Sequence, residues 1–211
     1  MADRETEVVA KIASGLSALN AAAWDRLAGD DPFVSYAFLS ALEMSGSVGK
    51  GTGWTPATLL IEDDASHLIS AAPAYLKTHS QGEYVFDQGW ADAFERAGGS
   101  YYPKLQIAVP FTPVPGPRLL GNQPQHLLAA AEAIVVQNEI SSAHITFIDE
   151  AGASECERRG WLLRDGIQYH WQSRGYRDFE DFLEALSSRK RKTIRKEREA
   201  AREGLEFRIL R

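Results

Sequence analysis

Cysteine is nearly missing: Cys156 is the only one in 211 residues. A lone thiol closes no internal disulfide, so packing must hold the fold and an oxidising compartment is not implied. Glu155 and Glu157 flank Cys156. Neighbouring carboxylates raise a thiol pKa, which points to a structural side chain and not a nucleophile. Long hydrophobic runs are missing too. The greasiest stretch, residues 127–136, is interrupted by Glu132 and is too short to span a bilayer. The first seven residues are acidic and have no apolar centre, so no secretory signal is expected and the expected location is the cytoplasm.

Several catalytic signatures are absent as well. His67, His79, His126, His144 and His170 include no pair at metal-ligand spacing, and there is no second cysteine to assist, so no metal is expected. A Gly-x-Ser-x-Gly elbow, which a serine hydrolase would need, does not occur. Residues 46–53 hold four glycines and Lys50, but Lys50 precedes Gly51 and the loop follows a helical stretch. A phosphate loop needs its lysine and serine or threonine to open a helix after a strand, so this is a surface loop.

What is present suits a globular protein. Apolar residues reach 44% and aromatic ones 10%, enough for one core with an additional segment. Residues 8–12 read as a strand and 18–27 as a helix. Asp30-Asp31-Pro32 offers a helix start before the near-helical spacing of 35–44. Residues 57–62 and 67–76 read as a hairpin around the turn 62–65. A short strand is expected over 82–86, a helix over 91–97 closed by Gly98-Gly99, and a strand over 104–109. Pro110, Pro113, Pro115 and Pro117 then bar the chain from a central ladder. A helix over 123–139, a strand over 143–148, a helix over 151–159 and a strand over 162–173 follow. This order predicts an α/β fold with a mixed central sheet and helices on both faces. Beyond it, Phe179, Phe182, Leu183 and Leu186 mark an amphipathic helix. Ser187 and Ser188 cap a second helix over 189–203 that Gly204 can end, and Leu205, Phe207 and Ile209 alternate as a new strand would.

Two segments stand out chemically. Residues 81–121 interleave Tyr84, Phe86, Trp90, Phe94, Tyr101 and Tyr102 with Asp87, Lys104, Thr112 and Arg118. Such a segment forms either a pocket wall or a core strand with a stiff loop packed over it. Residues 188–202 hold eight Lys/Arg against two Glu. This helix is either a solvated linker or a cationic surface for the phosphates of a nucleotide-linked substrate or of tRNA. Lys190, Arg191 and Arg195 are its candidate phosphate ligands, the arginines favoured for their bidentate fork.

Four stretches also carry a family likeness: DPFVSYAFLSALEMSGSVG, GEYVFDQGWADAFERAGG, YYPKLQIAVPFTPVPGPRLL and GIQYHWQSRGYRDFEDFLEALSSRKRKTIRKER. Together they resemble the bacterial peptidoglycan biosynthesis/recognition proteins, a Fem-like branch of the GNAT-fold (acyl-CoA N-acyltransferase-like) proteins. The resemblance spans nearly all of residues 30–205. It implies a first GNAT-like domain over 1–176, a helical linker with a basic helix over 177–204, and the start of a second such domain over 205–211, with a cleft between the two. Similar Fem proteins transfer an amino acid from aminoacyl-tRNA to the peptide of a cell-wall precursor. A piece holding only the first half is expected to lack independent catalysis. The Gln/Arg-x-x-Gly-x-Gly/Ala turn that holds acetyl-CoA pyrophosphate in GNAT enzymes is not found here. Acyl-CoA and aminoacyl-tRNA therefore both stay open as donor substrates, and no permanently bound cofactor is expected. The alternatives are a non-catalytic module that recognises a cell-wall peptide or nucleotide-linked precursor, and a tRNA-binding module.

N-acyl transfer needs a deprotonated amine and donors at the developing oxyanion. In the matched segment, Asp87 is the candidate base or amine anchor, and Tyr102 and Thr112 are candidate catalytic donors. Trp90, Tyr101, Phe111, Lys104 and Arg118 are candidate substrate contacts, the last two for a phosphate or carboxylate.

Overall fold

The computed structural model describes residues 8–208. The chain divides between Gly166 and Ile167 into two compact units. The first contains strands Val9–Ala13 (β1), Trp54–Pro56 (β2), Thr58–Glu62 (β3), Leu68–Ala72 (β4), Ala74–Lys77 (β5), Lys104–Ile107 (β6), Leu120–Gly121 (β7) and Ala143–Ile145 (β8). Its helices are Ala21–Ala28 (α1), Tyr36–Met44 (α2), Gln88–Arg96 (α3), Pro124–Gln137 (α4) and Glu150–Arg158 (α5).

The expected α/β mixture is present, but the single central sheet is divided in two. The orders are β1-β3-β4-β7 and β2-β5-β6-β8. One long hairpin feeds both sheets, because its arms break at Ala57 and Pro73. Proline has no N–H for a ladder, so the strand changes sheet there. Ala57 N–H still donates to the Ala74 carbonyl at 2.8 Å, and Ala108 N–H to the Pro73 carbonyl at 3.0 Å. Every strand pair is antiparallel except β6 with β8. Helix α4 lies in that connection, as a parallel pair requires a crossover.

Strand alternation sets the layers. Leu60 points to one side of the first sheet, with Trp24 of α1, Leu39 of α2 and Leu120. Leu59 and Ile61 point to the other, with Leu127 and Ala131 of α4. Helices thus cover both faces of that sheet. In the second sheet Ala74, Leu105 and Ile107 join the α4 core. Its opposite face carries Trp54, Tyr75, Lys77, Lys104 and Gln106, all buried.

Helix starts follow capping chemistry. Asn20 accepts from Ala23 N–H, Ser35 from Phe38 N–H and Asp149 from Gly152 N–H. The cap of α2 is therefore Ser35, while Asp31 accepts from Phe33 N–H and braces the turn ahead of it. The strands expected at 82–86 and 162–173 are not formed. Tyr84 (φ 59°) and Phe86 (φ 49°) are left-handed, which a strand over 82–86 forbids. Residues 161–176 join neither sheet despite their alternation.

The second unit holds helices Phe179–Glu184 (α6) and Ser188–Arg202 (α7). Asp178 caps α6 by accepting from Asp181 N–H at 2.9 Å. Helix α7 buries no residue, and Gly204 follows it at φ 74°. The strand expected from Leu205 is not formed over 205–208, and its continuation, 209–211, lies outside the described residues.

Candidate functional site

The polar face of the second sheet is a charge cluster roofed by the segment 80–87. Register places Lys77 directly opposite Lys104. Like charges in that position repel, and burial strengthens the repulsion. The roof supplies the counter-charges. Lys104 Nζ donates to Glu83 Oε2 at 2.8 Å, to Asp87 Oδ2 at 2.8 Å and to Ser80 Oγ at 2.9 Å. Lys77 Nζ lies 3.9 Å from Glu83 Oε1 and donates to the Gln81 carbonyl at 3.3 Å. It also sits 3.5 Å from the centre of the Trp54 ring, a cation–π contact. Tyr101 OH donates to Asp87 Oδ2 at 2.9 Å, and the Tyr102 and Ser80 hydroxyls are 2.7 Å apart.

The roof is held under strain. Tyr84, Phe86 and Phe111 are left-handed non-glycine residues, a costly state for aromatic side chains. Gly82, at φ 80°, is obligatory, because a Cβ there would meet the Phe111 ring at 2.6 Å. Trp54 Nε1 donates to the Gln81 carbonyl, and Phe111 N–H to the Gly82 carbonyl. Asp87 stands at the cap position of α3, yet its carboxylate makes no cap bond and turns to Lys104 instead. The aromatic side chains of the roof point outward, so Tyr84, Phe86, Trp90 and Phe94 are exposed. The Arg164 guanidinium lies 5.8 Å from the Trp90 ring centre.

Burial and pairing divide the ionisable groups. Burial pushes the Asp87 carboxyl up, but hydrogen bonds from Lys104, Ser80 and Tyr101 with the Lys104 charge outweigh it, holding the pKa at about 2. Burial raises Glu83 despite the Lys104 charge beside it. Burial also lowers Lys77 to about 8 against the pull of Glu83. Glu83 and Lys77 are thus both driven toward their neutral forms, while Asp87 stays an anion. His144, which shares a 2.8 Å hydrogen bond with Ser142, falls to about 4 through burial and then the Lys104 charge. Among the described residues, Tyr75 OH, Glu83 Oε1, Asp87 Oδ1 and Gln106 Oε1 are buried without a hydrogen-bond partner.

A family model described as FemAB-like, peptidoglycan biosynthesis/recognition, matches residues 15–211. The chain belongs to the FemAB-like family. No curated protein and no solved structure matches it. That family description ties the chain to peptidoglycan biosynthesis or recognition. Among the described residues no helix is long and apolar enough to cross a membrane, and no group of three or more His, Cys, Asp or Glu could hold a metal ion.

In this FemAB-like chain the structure brings Asp87, Tyr101, Tyr102 and Lys104 together. Phe111 joins them at the roof, 5.6 Å from the Trp54 ring. Trp90 is 66% exposed on α3. Thr112 and Arg118 make no bond to the cluster. The Thr112 hydroxyl returns to the Pro110 carbonyl at 3.0 Å. Arg118 is 1% exposed and donates to the carbonyls of Thr146, Pro117 and Val114. Burial lowers it to about 10. In the second unit Arg195 pairs with Glu180, and Arg191 donates to the Glu184 carbonyl at 3.4 Å. Lys190 is exposed and forms no salt bridge among the described residues. Sequence reasoning missed Lys77, Ser80, Glu83, Trp54 and His144. The available signal was Lys77 closing an apolar strand that pairs with the one opened by Lys104. Cys156 is buried, and burial, then Glu155, raises its thiol pKa, which fits a packing role.

Proposed function

We propose that this chain carries the acceptor-amine site of a GNAT-like N-acyl or aminoacyl transferase that acts on the peptide of a peptidoglycan precursor. One observation carries the reading: the buried cluster has three unsatisfied acceptor oxygens, on Glu83, Asp87 and Gln106. An amino group offers several N–H donors and complements such a set. Asp87, an anion at every physiological pH, suits the anchoring part of its expected role. It is too weak a base for the other part. Glu83, raised by burial and linked to Lys77, is the better proton acceptor. Tyr75 OH, unsatisfied and opposite Gln106 in the ladder, is the donor available to a developing oxyanion. The exposed roof aromatics would hold the peptide. Acyl-CoA and aminoacyl-tRNA are the donor classes. Because Asp87 and Glu83 are buried, the amine reaches them only when the strained roof shifts.

A recognition module without transfer is the second reading. It is favoured by the burial of the cluster's charged side chains, Lys77, Glu83, Asp87 and Lys104. The two readings separate in one experiment. The chain is mixed with a nucleotide-linked precursor peptide and either donor, and precursor mass is followed. Growth of the precursor by one acyl or aminoacyl group, abolished by acetylating its free amine, supports transfer. Binding lost on acetylating the amine, even without growth, supports the acceptor-amine site. Binding without growth that survives acetylation supports recognition, and absence of both binding and growth sinks the two together.

A further inference from the structure

The second unit holds a recess that the transfer reading leaves unused. Trp171, Ser173, Tyr176, Asp178, Phe179 and Phe182 line an open recess of about 430 Å³. Phe182 stands at 73° to Trp171 and 78° to Tyr176, with ring centres 6.5 Å and 5.5 Å away. Rings meeting near right angles form a corner whose faces carry negative π density. The corner has already attracted a cation at its edge, since the Arg198 guanidinium lies 4.0 Å from the Phe179 ring centre.

The charges nearby are unevenly paired. Asp181 is bridged by Arg177 at 3.0 Å, and Glu180 by Arg195. Asp178 has no salt bridge among the described residues. Its Oδ1 accepts from Asp181 N–H at the cap of α6, and its Oδ2 takes no hydrogen bond among the described residues. The recess therefore joins apolar π faces to a solvent-exposed carboxylate oxygen that accepts from none of the described residues.

We infer that this recess binds a primary alkylammonium group, such as the end of a lysine-like side chain, with its stem against the rings and one N–H on Asp178 Oδ2. A neutral ligand of the same shape would leave the carboxylate unpaired. A quaternary ammonium would keep the π attraction but has no N–H for Oδ2. The recess shares no residue with the acceptor-amine cluster, so the two readings are tested independently.

The test is a titration of the isotope-labelled full chain, at constant ionic strength, with n-butylammonium, tetramethylammonium and 1-pentanol, followed by amide shifts over residues 171–182. Butylammonium should saturate in roughly the millimolar range, as suits a fragment-sized ligand. Tetramethylammonium and pentanol should each be weaker by about tenfold, the loss of one charge-assisted hydrogen bond. Asp178→Asn should weaken butylammonium by about tenfold and leave the α6 amide shifts in place, because asparagine caps a helix as well as aspartate does. Trp171→Ala should abolish binding without unfolding, since Trp171 is 68% exposed. The inference is overturned if butylammonium causes no saturable shift, if pentanol or tetramethylammonium binds as tightly, or if Asp178→Asn leaves the affinity unchanged.

Discussion

Lys77 and Lys104 face each other across the β5–β6 ladder, two fully buried ammonium groups in direct register. Only Glu83 and Asp87, delivered by the roof segment, make that pairing tenable. The roof is therefore an electrostatic necessity of the sheet beneath it. The same bonds that neutralise the lysines hold Tyr84 and Phe86 in left-handed conformations and turn the aromatic side chains outward.

Removing Lys104 should expose that dependence. Lys104→Met leaves Glu83 and Asp87 buried without their main partner. Deleting one member of a buried ion pair costs about 3–5 kcal/mol. Urea unfolding should show a loss of that size. Adding Glu83→Gln and Asp87→Asn to Lys104→Met should recover most of it. A loss well under 1 kcal/mol in the single variant would show that the cluster does not hold the roof.

Acid should destabilise the first unit in two steps. His144 has its pKa lowered to about 4, so its contribution is complete above its ordinary value of 6.5 and is lost as pH falls through 4. Asp87 has its pKa lowered to about 2, so its contribution persists above its ordinary value of 3.8 and is lost between there and 2. Glu83 is raised and works in the opposite sense, since protonating it relieves a buried charge. Unfolding free energy measured from pH 7 to pH 4 should fall, and His144→Gln should flatten that part of the curve. An unchanged slope in His144→Gln would remove histidine from the account.

The hairpin and the helix faces were legible because each depends on short-range pattern: apolar periodicity and a turn of acidic residues. The charge cluster was only half legible. Lys104 and Gln106 alternate with Leu105 and Ile107, and alternation of that kind ordinarily places the polar residues in solvent. Here both are buried, because a segment more than fifteen residues away in sequence folds over them. Periodicity contains no term for that contact. The strand expected at 162–173 fails for a related reason: alternation selects a strand only where a neighbour supplies the ladder, and neither sheet takes it. The division into two sheets was missed, because the strand expected over 67–76 runs straight through Pro73.

Arg118 offers a test between substrate contact and structural brace. Its guanidinium ties the distant Thr146 carbonyl to two carbonyls of its own segment, those of Val114 and Pro117. Lysine cannot reproduce that fork, and carbonyls left unpaired in the interior cost about 1–3 kcal/mol each. Arg118→Lys should lower the melting temperature by several degrees and leave precursor affinity unchanged. A selective loss of affinity at unchanged stability would return Arg118 to the binding site.

Phe86→Gly separates strain from recognition at the roof. Glycine adopts φ 49° without the steric penalty of phenylalanine, although it loses more entropy on folding. Phe86 is 77% exposed, so little packing is lost. Stability should stay within about 1 kcal/mol of the parent. If the roof aromatics hold the peptide, affinity should drop by about tenfold, the scale of one aromatic anchor. Equal affinity would confine the roof to a structural role.

The basic helix α7 yields a prediction that depends on which of its cations are available. Arg195 is paired with Glu180, whereas Lys190 is exposed without a salt bridge among the described residues. Each phosphate contact on a single strand contributes about 0.7 to the slope of log affinity against log salt, and on a duplex about 0.9. Lys190→Ala should therefore reduce the salt slope of tRNA binding by about that amount. The pair Glu180→Ala with Arg195→Ala removes one charge of each sign and should leave the slope nearly unchanged. Parallel salt series on the three proteins read the difference directly. Identical slopes for the parent and Lys190→Ala would mean that α7 does not touch phosphate through this residue, and its cations would then serve only as a solvated surface.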